Sequence, residues 1–247
     1  MPNATKTGVF RFYRRLLRRF GPQGWWPTTS AGGSRPRYKR HPDSSGSPKS
    51  EREKLEVCIG AILTQNTAWS NVEKALSPLN RDKLMRLNRL AGMPLSALAS
   101  RIRSSGYFRQ KARKLRFFSR YVLKKYGTVF RFLSSKPWPQ IREELLELYG
   151  VGPETADSIL LYAGGHPSFV VDAYTRRIVG RWGLLSPRRS QDYDQVRDFF
   201  MQNLPCKSRL FNEYHALLVA LGKHYCGGSP LCEGCPVRGD CRYGSSH

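Results

Sequence analysis

The stretch Leu148-Tyr149-Gly150-Val151-Gly152-Pro153 joins two segments in which apolar residues recur at helical spacing. Before it, apolar side chains fall at positions 141, 145 and 148, and after it at 156, 159, 160 and 163. Its two glycines permit a positive φ and a close approach of another backbone, and Pro153 suits the first position of a helix. The pattern predicts a helix-hairpin-helix whose N–H groups and helix N-terminus bind phosphate without reading sequence. A plain corner between two helices fits the same residues.

The remaining periodicity predicts an all-α fold. Apolar faces with helical spacing lie within residues 13–20, 55–63, 72–76 and 115–122, and no stretch keeps the alternation that is typical of strands. Five arginines between positions 11 and 19 form a basic face on the same predicted helix as the first of these apolar faces. An arginine-rich N-terminus is also typical of a mitochondrial transit peptide, but we expect a folded helix because an aromatic segment follows it.

The charge of the chain indicates a polyanionic partner. Lysine and arginine number 42 against 18 acidic residues, so the formal net charge is +24. The segment 28–50 is rich in Ser, Gly, Pro and basic residues, and we expect it to be a basic flexible loop. No apolar run approaches the length of a membrane span, so we expect nucleic acid and no membrane as the partner.

Four cysteines near the C-terminus follow the pattern C-x5-C-x2-C-x5-C: Cys226, Cys232, Cys235 and Cys241. Four thiolates in one short segment suit a [4Fe-4S] cluster or zinc, and the single C-x2-C with short glycine-containing loops favours the cluster. Two disulfides fit poorly, because there is no apolar signal segment and the other cysteines, Cys58 and Cys206, are not grouped.

Two further segments suggest contacts with the ligand. Gly106-Tyr107-Phe108-Arg109-Gln110-Lys111-Ala112 forms a turn into a basic helix, consistent with a second contact on a nucleic-acid backbone. Asp172 follows an apolar run and precedes a helix, where its carboxylate is either a helix N-cap or a group that stabilises a cation or orients a water. Both functions are compatible.

Together these motifs resemble the endonuclease III-like DNA glycosylases of the helix-hairpin-helix superfamily. The resemblance runs from about Leu55 to Cys241 through Leu63-Thr64-Gln65-Asn66-Thr67, Gly106-Tyr107, Gly150-Val151-Gly152, Val170-Val171-Asp172 and the four cysteines. It implies that Asp172 is the catalytic carboxylate, that Gln65 and Tyr107 are inserted into the duplex, and that the cysteines hold a [4Fe-4S] cluster. It also implies two helical domains with the substrate pocket in the cleft between them.

One departure from the family pattern concerns the reaction. Where the bifunctional members carry a lysine after the hairpin, this chain has Glu154, and a carboxylate cannot form a Schiff base. We therefore expect a monofunctional glycosylase of base excision repair without AP lyase activity. An endonuclease III-like lyase for oxidised pyrimidines, a mismatch glycosylase and a non-catalytic iron-sulfur DNA-binding protein remain alternatives; Lys223 is the candidate amine for a lyase.

The N-terminal segment Phe20-Gly21-Pro22-Gln23-Gly24-Trp25-Trp26-Pro27 resembles the 3-methyladenine glycosylase branch of the family. Its tryptophans are suited to stack on a flipped cationic base, and packing in the core is the alternative. The expected base pocket is therefore Trp25, Trp26 and Pro27.

The expected site on DNA consists of residues from three segments: Gln65, Tyr107, Lys111, Gly150, Val151 and Gly152. We expect an N-terminal helix and aromatic segment (1–27) that packs on the cluster-side domain, the loop 28–50, a helical domain with the hairpin (51–165) and a cluster-side domain (166–247). The expected protein is a monomer that acts on damaged double-stranded DNA in the cytoplasm, associated with the nucleoid.

Overall fold

The computed structural model describes residues 6–38, 48 and 50–246, and it confirms the predicted all-α class. The helices are α1 (Lys6–Phe20), α2 (Glu51–Leu63), α3 (Trp69–Arg81), α4 (Leu87–Gly92), α5 (Leu95–Arg101), α6 (Phe108–Tyr126), α7 (Val129–Leu133), α8 (Trp138–Glu147), α9 (Pro153–Ser158), α10 (Ala173–Trp182), α11 (Pro187–Gln191), α12 (Tyr193–Asn203), α13 (Ser208–His224) and α14 (Arg242–Ser245). Short 3-10 helices span Arg103–Ser105 and Arg238–Asp240, and a π-helix spans Ile159–Gly164.

The described residues form two compact units. The hairpin unit contains residues 26–38, 48 and 50–166, and the cysteine unit contains residues 6–25 and 167–246. The N-terminal segment is divided between them, since Trp25 belongs to the cysteine unit and Trp26 to the hairpin unit. No helix among the described residues is both long and apolar enough to cross a bilayer.

The first part of the segment expected to be a flexible loop is ordered by polar contacts. Strands β1 (Thr28–Thr29) and β2 (Pro36–Arg37) pair in an antiparallel hairpin. The Thr29 N–H and hydroxyl donate to Oε1 of the buried Glu56, at 2.9 and 2.6 Å. Low apolar content was therefore the wrong basis for predicting a flexible loop at residues 28–38. Of the rest of that segment, only positions 48 and 50 are among the described residues.

The core of the hairpin unit is built around α2, which begins with a capping box of Ser50 and Glu53 and is buried from residue 54 to 63. This helix packs against the π-helix. The Lys54 ammonium lies inside the unit and donates to the Ala163 carbonyl, near the end of that π-helix, at 2.7 Å. Helices α4 and α5 pack on α6, which carries the basic residues predicted there.

The core of the cysteine unit is α13, which is buried without interruption from residue 211 to 222. Helices α1 and α10 pack against it. Gly222 makes the contact with α10 possible, because a Cβ at this position would lie 2.2 Å from the ring of Tyr174. This packing fixes the start of α10, where Asp172 lies.

Candidate catalytic and DNA-binding sites

Asp172 is the N-cap of α10, as predicted from the sequence, and its two carboxylate oxygens have different surroundings. Oδ1 accepts hydrogen bonds from the Thr175 N–H at 2.7 Å and the Thr175 hydroxyl at 2.8 Å. Oδ2 lies 3.8 Å from Nε2 of His215, and the Asp172 side chain is 14% exposed. The carboxylate is thus held rigidly through one oxygen, in a place of low solvent exposure.

His215, on α13, was not predicted as a site residue, because a single histidine on an apolar helix is usually part of the core. Its side chain is 5% exposed and lies edge-on to the ring of Trp25, with centroids 5.8 Å apart. Burial lowers the pKa of His215, while the negative charge of Asp172 acts in the opposite direction. Burial therefore favours the neutral imidazole beside the carboxylate at neutral pH.

The two hairpin glycines differ in conformation. Gly150 has φ +80°, and a Cβ there would lie 2.5 Å from the Lys114 stem. Gly152 is the N-cap of α9 with φ −99° and open space above its Cα, so the expectation of a positive φ holds for Gly150 only. Val151 is nearly buried and donates its N–H to the Leu148 carbonyl. Among the described residues the N–H groups of Gly150 and Gly152 make no backbone hydrogen bond, and they remain the available donors of the hairpin.

Gln65 is tied to the hairpin through its side-chain amide. Nε2 donates to the Gly150 carbonyl and to the Thr155 hydroxyl, each at 2.9 Å. Oε1 accepts a hydrogen bond from the Lys114 ammonium at 2.6 Å. The structure therefore joins the predicted Gln65 loop and the predicted hairpin in one polar network.

Tyr107 and Lys111 lie one helical turn apart and have opposite environments. Tyr107 is the N-cap of α6, with φ 44° and 70% exposure, as a residue that enters a duplex would require. Lys111 is 2% exposed, and its ammonium donates to three oxygens inside the unit. A direct DNA contact of Lys111 does not fit this position, because all three of its donors are already used.

The predicted base-pocket residues fall in two places. Trp26 lies edge-on to Trp69 with centroids 5.1 Å apart, and its ring is also 5.1 Å from that of Tyr162. Gly60 lies beneath it, since a Cβ there would approach the indole to 3.1 Å. Pro27 is buried in the same unit, whereas Trp25 contacts His215 in the cysteine unit. Trp69 was missed by the sequence analysis, although it lies four residues after Gln65.

The four predicted ligand cysteines line one pocket of the cysteine unit, together with apolar and aromatic residues of α1, α10 and α13. The Arg181 guanidinium closes the loop after Cys226, donating to the Gly227 carbonyl at 2.6 Å and the Gly228 carbonyl at 2.9 Å. In the described part of the chain, no three metal-binding side chains converge on a single ion. The thiols thus surround a common pocket without meeting at one point.

The pKa shifts of two of these thiols show how the pocket affects a negative charge on sulfur. Burial raises the pKa of the Cys235 and Cys241 thiols, and the neighbouring cysteines raise it further. Backbone N–H groups of Val237 near Cys235, and of Tyr243 and Gly244 near Cys241, act in the opposite direction. Amides directed at sulfur suit thiolates bound to iron, so this donor set fits a [4Fe-4S] cluster.

The fold is almost entirely helical, and two hairpin N–H groups make no backbone hydrogen bond among the described residues. Together with the carboxylate fixed at a helix N-cap and a formal net charge of +24, these features are typical of a DNA-processing protein. The chain belongs to the HhH-GPD superfamily of base excision DNA repair proteins, whose family model matches residues 59–206. It is a DNA glycosylase of base excision repair.

Two curated relatives cover most of the chain. A candidate DNA repair glycosylase of Methanocaldococcus jannaschii is 36% identical over 234 residues, which is 94% of this chain and 95% of that protein. Endonuclease III of Thermotoga maritima is 30% identical over 198 residues, covering 78% of this chain and 84% of the relative.

Solved structures show the same fold. The 3-methyladenine DNA glycosylase of H. pylori bound to 1,N6-ethenoadenine is 25% identical with a TM-score of 0.68, over 89% of this chain and 97% of that one. A non-covalent endonuclease III–DNA complex is 24% identical with a TM-score of 0.72, over 98% of this chain and 97% of that one.

Proposed function

We propose that the protein is a monofunctional DNA glycosylase that hydrolyses the N-glycosidic bond of a flipped, alkylated purine such as 3-methyladenine. The environment of Asp172 carries this proposal, since one oxygen is fixed by Thr175 and the other accepts no hydrogen bond from the described residues and lies 3.8 Å from Nε2 of His215. Loss of a base leaves positive charge on the sugar, and a fixed carboxylate in a poorly solvated place stabilises that charge. The same carboxylate can orient the water that attacks the sugar carbon.

The lysines support hydrolysis without strand cleavage. Glu154 is exposed in the first turn of α9, at the position where bifunctional relatives carry the amine, and there it complements the helix dipole. Burial lowers the pKa of Lys54, Lys111 and Lys114, as a nucleophilic amine requires. Each of these three ammonium groups, however, donates to an acceptor inside the hairpin unit.

The aromatic residues support a cationic purine as the substrate. Trp26, Trp69 and Tyr162 group their rings above Gly60, where a side chain would displace the indole of Trp26. Electron-rich rings attract an alkylated, positively charged base, whose glycosidic bond is already weakened. The likeness to the 3-methyladenine glycosylase of H. pylori, at 25% identity, supports the same class of lesion.

We further propose that the protein acts as a monomer on double-stranded DNA and that Cys226, Cys232, Cys235 and Cys241 hold a [4Fe-4S] cluster. The N–H groups of Gly150 and Gly152, which make no backbone hydrogen bond among the described residues, support contact with the phosphate backbone. The shared pocket and the amides directed at sulfur support the cluster. When bound, it would cross-link the C-terminal loops, and we assign it no part in base removal.

One assay separates this proposal from its alternatives. Duplexes carrying 3-methyladenine or an oxidised pyrimidine are incubated with the protein and analysed with and without alkali. We expect release of the methylated base and an intact strand that breaks only after alkali. Strand cleavage without alkali, with an adduct trapped by borohydride, would contradict the monofunctional reaction and favour an endonuclease III-like lyase. Binding without base release from any lesion would favour a non-catalytic protein.

A further inference from the structure

We infer that Lys111 is a positioning residue, which ties the loop carrying Gln65 to the turn carrying Tyr107 and so holds the exposed Tyr107 side chain where it can enter the duplex. This inference rests on the proposed function, because base removal requires that the damaged nucleotide leave the stack. This positioning role takes the place of the DNA-backbone contact that the sequence predicted for Lys111.

The hydrogen bonds of the Lys111 ammonium connect two segments that are distant in sequence. It donates to the Leu63 carbonyl at the end of α2, at 2.8 Å, and to the Thr67 hydroxyl in the loop that follows, at 2.7 Å. On the turn before α6, it donates to the Ser105 carbonyl at 2.6 Å. The Thr67 hydroxyl also donates to the same Ser105 carbonyl. One buried cation thus fastens both segments to α6.

The backbone at both segments explains why they need fastening. Tyr107 has φ 44°, a left-handed conformation that is unfavourable for a bulky side chain, and Asn66 has φ 50°, which asparagine adopts more readily than most residues. Such conformations persist only where the surrounding structure holds them. The acceptors of Lys111 flank Asn66 on both sides and lie two residues before Tyr107. The hydrogen bonds of Lys111 therefore hold the backbone next to both positive-φ residues, of which Tyr107 is the strained one.

The environment of the Lys111 ammonium makes its three hydrogen bonds sensitive to pH. Burial lowers the pKa of Lys111 to about 8, and the positive charge of Lys114 on the same helix contributes to the lowering. From the two segments packed against it, the facing groups are two carbonyls and one hydroxyl, none of which is charged. The ammonium is therefore protonated at neutral pH, and its third donor is lost as the pH rises through about 8.

The experiment replaces the ammonium while keeping the apolar stem. Lys111→Met is compared with Lys124→Met, a matched control at an exposed position near the end of the same helix. Duplex opening is followed by the fluorescence of 2-aminopurine placed beside the lesion, and excision is measured in a single turnover with saturating protein. We expect Lys111→Met to lower both by about tenfold or more, as loss of hydrogen bonds from a buried charge implies. Lys124→Met should leave opening unchanged.

Two readouts distinguish positioning from a phosphate contact. Opening by the wild type should decline above pH 8, and Lys111→Met should lack that decline. The slope of log affinity against log salt should be the same for Lys111→Met and the wild type. The substitution removes no phosphate contact, so the number of counterions released on binding is unchanged. A slope that becomes shallower by about 0.9, the value for one phosphate, would overturn the inference. Normal opening in Lys111→Met would also overturn it.

A second variant covers the case in which Lys111→Met does not fold, as judged by circular dichroism. Thr67→Val removes the hydroxyl shared by both segments and leaves the buried charge in place. We expect reduced duplex opening, and normal opening would overturn the inference. Opening does not require base release, so it can also be measured in an Asp172→Asn background. If the wild type opens DNA normally but releases no base, only the proposed function is contradicted.

Discussion

The polar groups of the two units are used differently. In the hairpin unit, the amide of Gln65 and the ammonium of Lys111 are bound to several protein partners each. In the cysteine unit, hydrogen bonds from the described residues reach only Oδ1 of Asp172, while Oδ2 faces His215 at 3.8 Å. The Gln65 amide and the Lys111 ammonium, which fix the positions of loops, use their hydrogen-bonding capacity on protein partners. The Asp172 carboxylate, which is proposed to stabilise a positive charge on the substrate, keeps one oxygen available.

The strongest test of this difference is Asp172→Asn. An amide can still accept the Thr175 hydrogen bonds and cap α10, but it carries no charge to stabilise a cationic sugar. We expect the single-turnover excision rate to fall by about 1000-fold, with unchanged DNA affinity and, at pH 7, unchanged melting temperature. Asp198→Asn, an exposed carboxylate on α12, is the matched control and should retain full activity. Full activity in Asp172→Asn would refute the assigned role of the carboxylate.

A second test concerns the cysteine pocket. The purified protein should contain about four irons per chain and be brown if the four cysteines hold the proposed cluster. Cys235→Ser should lose iron and lower the melting temperature of the cysteine unit, since one ligand of the cross-link is removed. Cys206→Ser, at an exposed cysteine outside the pocket, should retain both. Stoichiometric zinc without iron in the wild type would contradict the proposal.

The sequence predicted the parts of the molecule that depend on local pattern. Helical periodicity gave the all-α class, and the glycine pattern around Gly150 marked the turn between α8 and α9. An acidic residue before a helix correctly predicted the Asp172 cap. Each of these features is decided by neighbouring residues, through spacing, φ and capping.

Features that depend on distant residues were not accessible in the same way. The β1–β2 hairpin is held by Glu56, far along the chain, and Lys111 is buried by acceptors from two other segments. His215 and Trp69 acquire their neighbours Asp172 and Trp26 only in the folded units. Composition and periodicity do not encode such pairings, because tertiary packing creates them.

The hairpin glycines allow stability to be separated from DNA binding. Gly150→Ala places a Cβ against the Lys114 stem at a positive φ, so we expect a loss of about 1–3 kcal/mol in unfolding free energy. Gly152→Ala meets open space at φ −99° and should change stability by less than about 0.5 kcal/mol. Its methyl group would instead occupy the surface that a phosphate approaches, so DNA affinity should fall. Urea unfolding and titration with undamaged duplex measure the two effects, and equal stability losses would contradict the distinction.

The smallest expected effect concerns His215 and the pH dependence of stability. Burial places the folded-state pKa of His215 below its ordinary value of 6.5, so the unfolded chain binds the proton more readily. The stability associated with the neutral imidazole is therefore complete above pH 6.5 and is lost as the pH falls through the folded-state pKa. His215→Gln should flatten this acid decline in unfolding free energy, whereas His224→Gln, an exposed histidine on the same helix, should retain it.

Asp172 provides an internal check on the same measurement. Its negative charge raises the pKa of His215 and so opposes the effect of burial. In Asp172→Asn that opposing charge is absent, so the folded-state pKa falls further and the loss of stability toward acid pH becomes larger than in the wild type. Urea unfolding between pH 7 and pH 5 compares the wild type, both single variants and the double variant. If Asp172→Asn leaves the acid decline unchanged, the carboxylate and the imidazole do not interact electrostatically across the 3.8 Å that separates them.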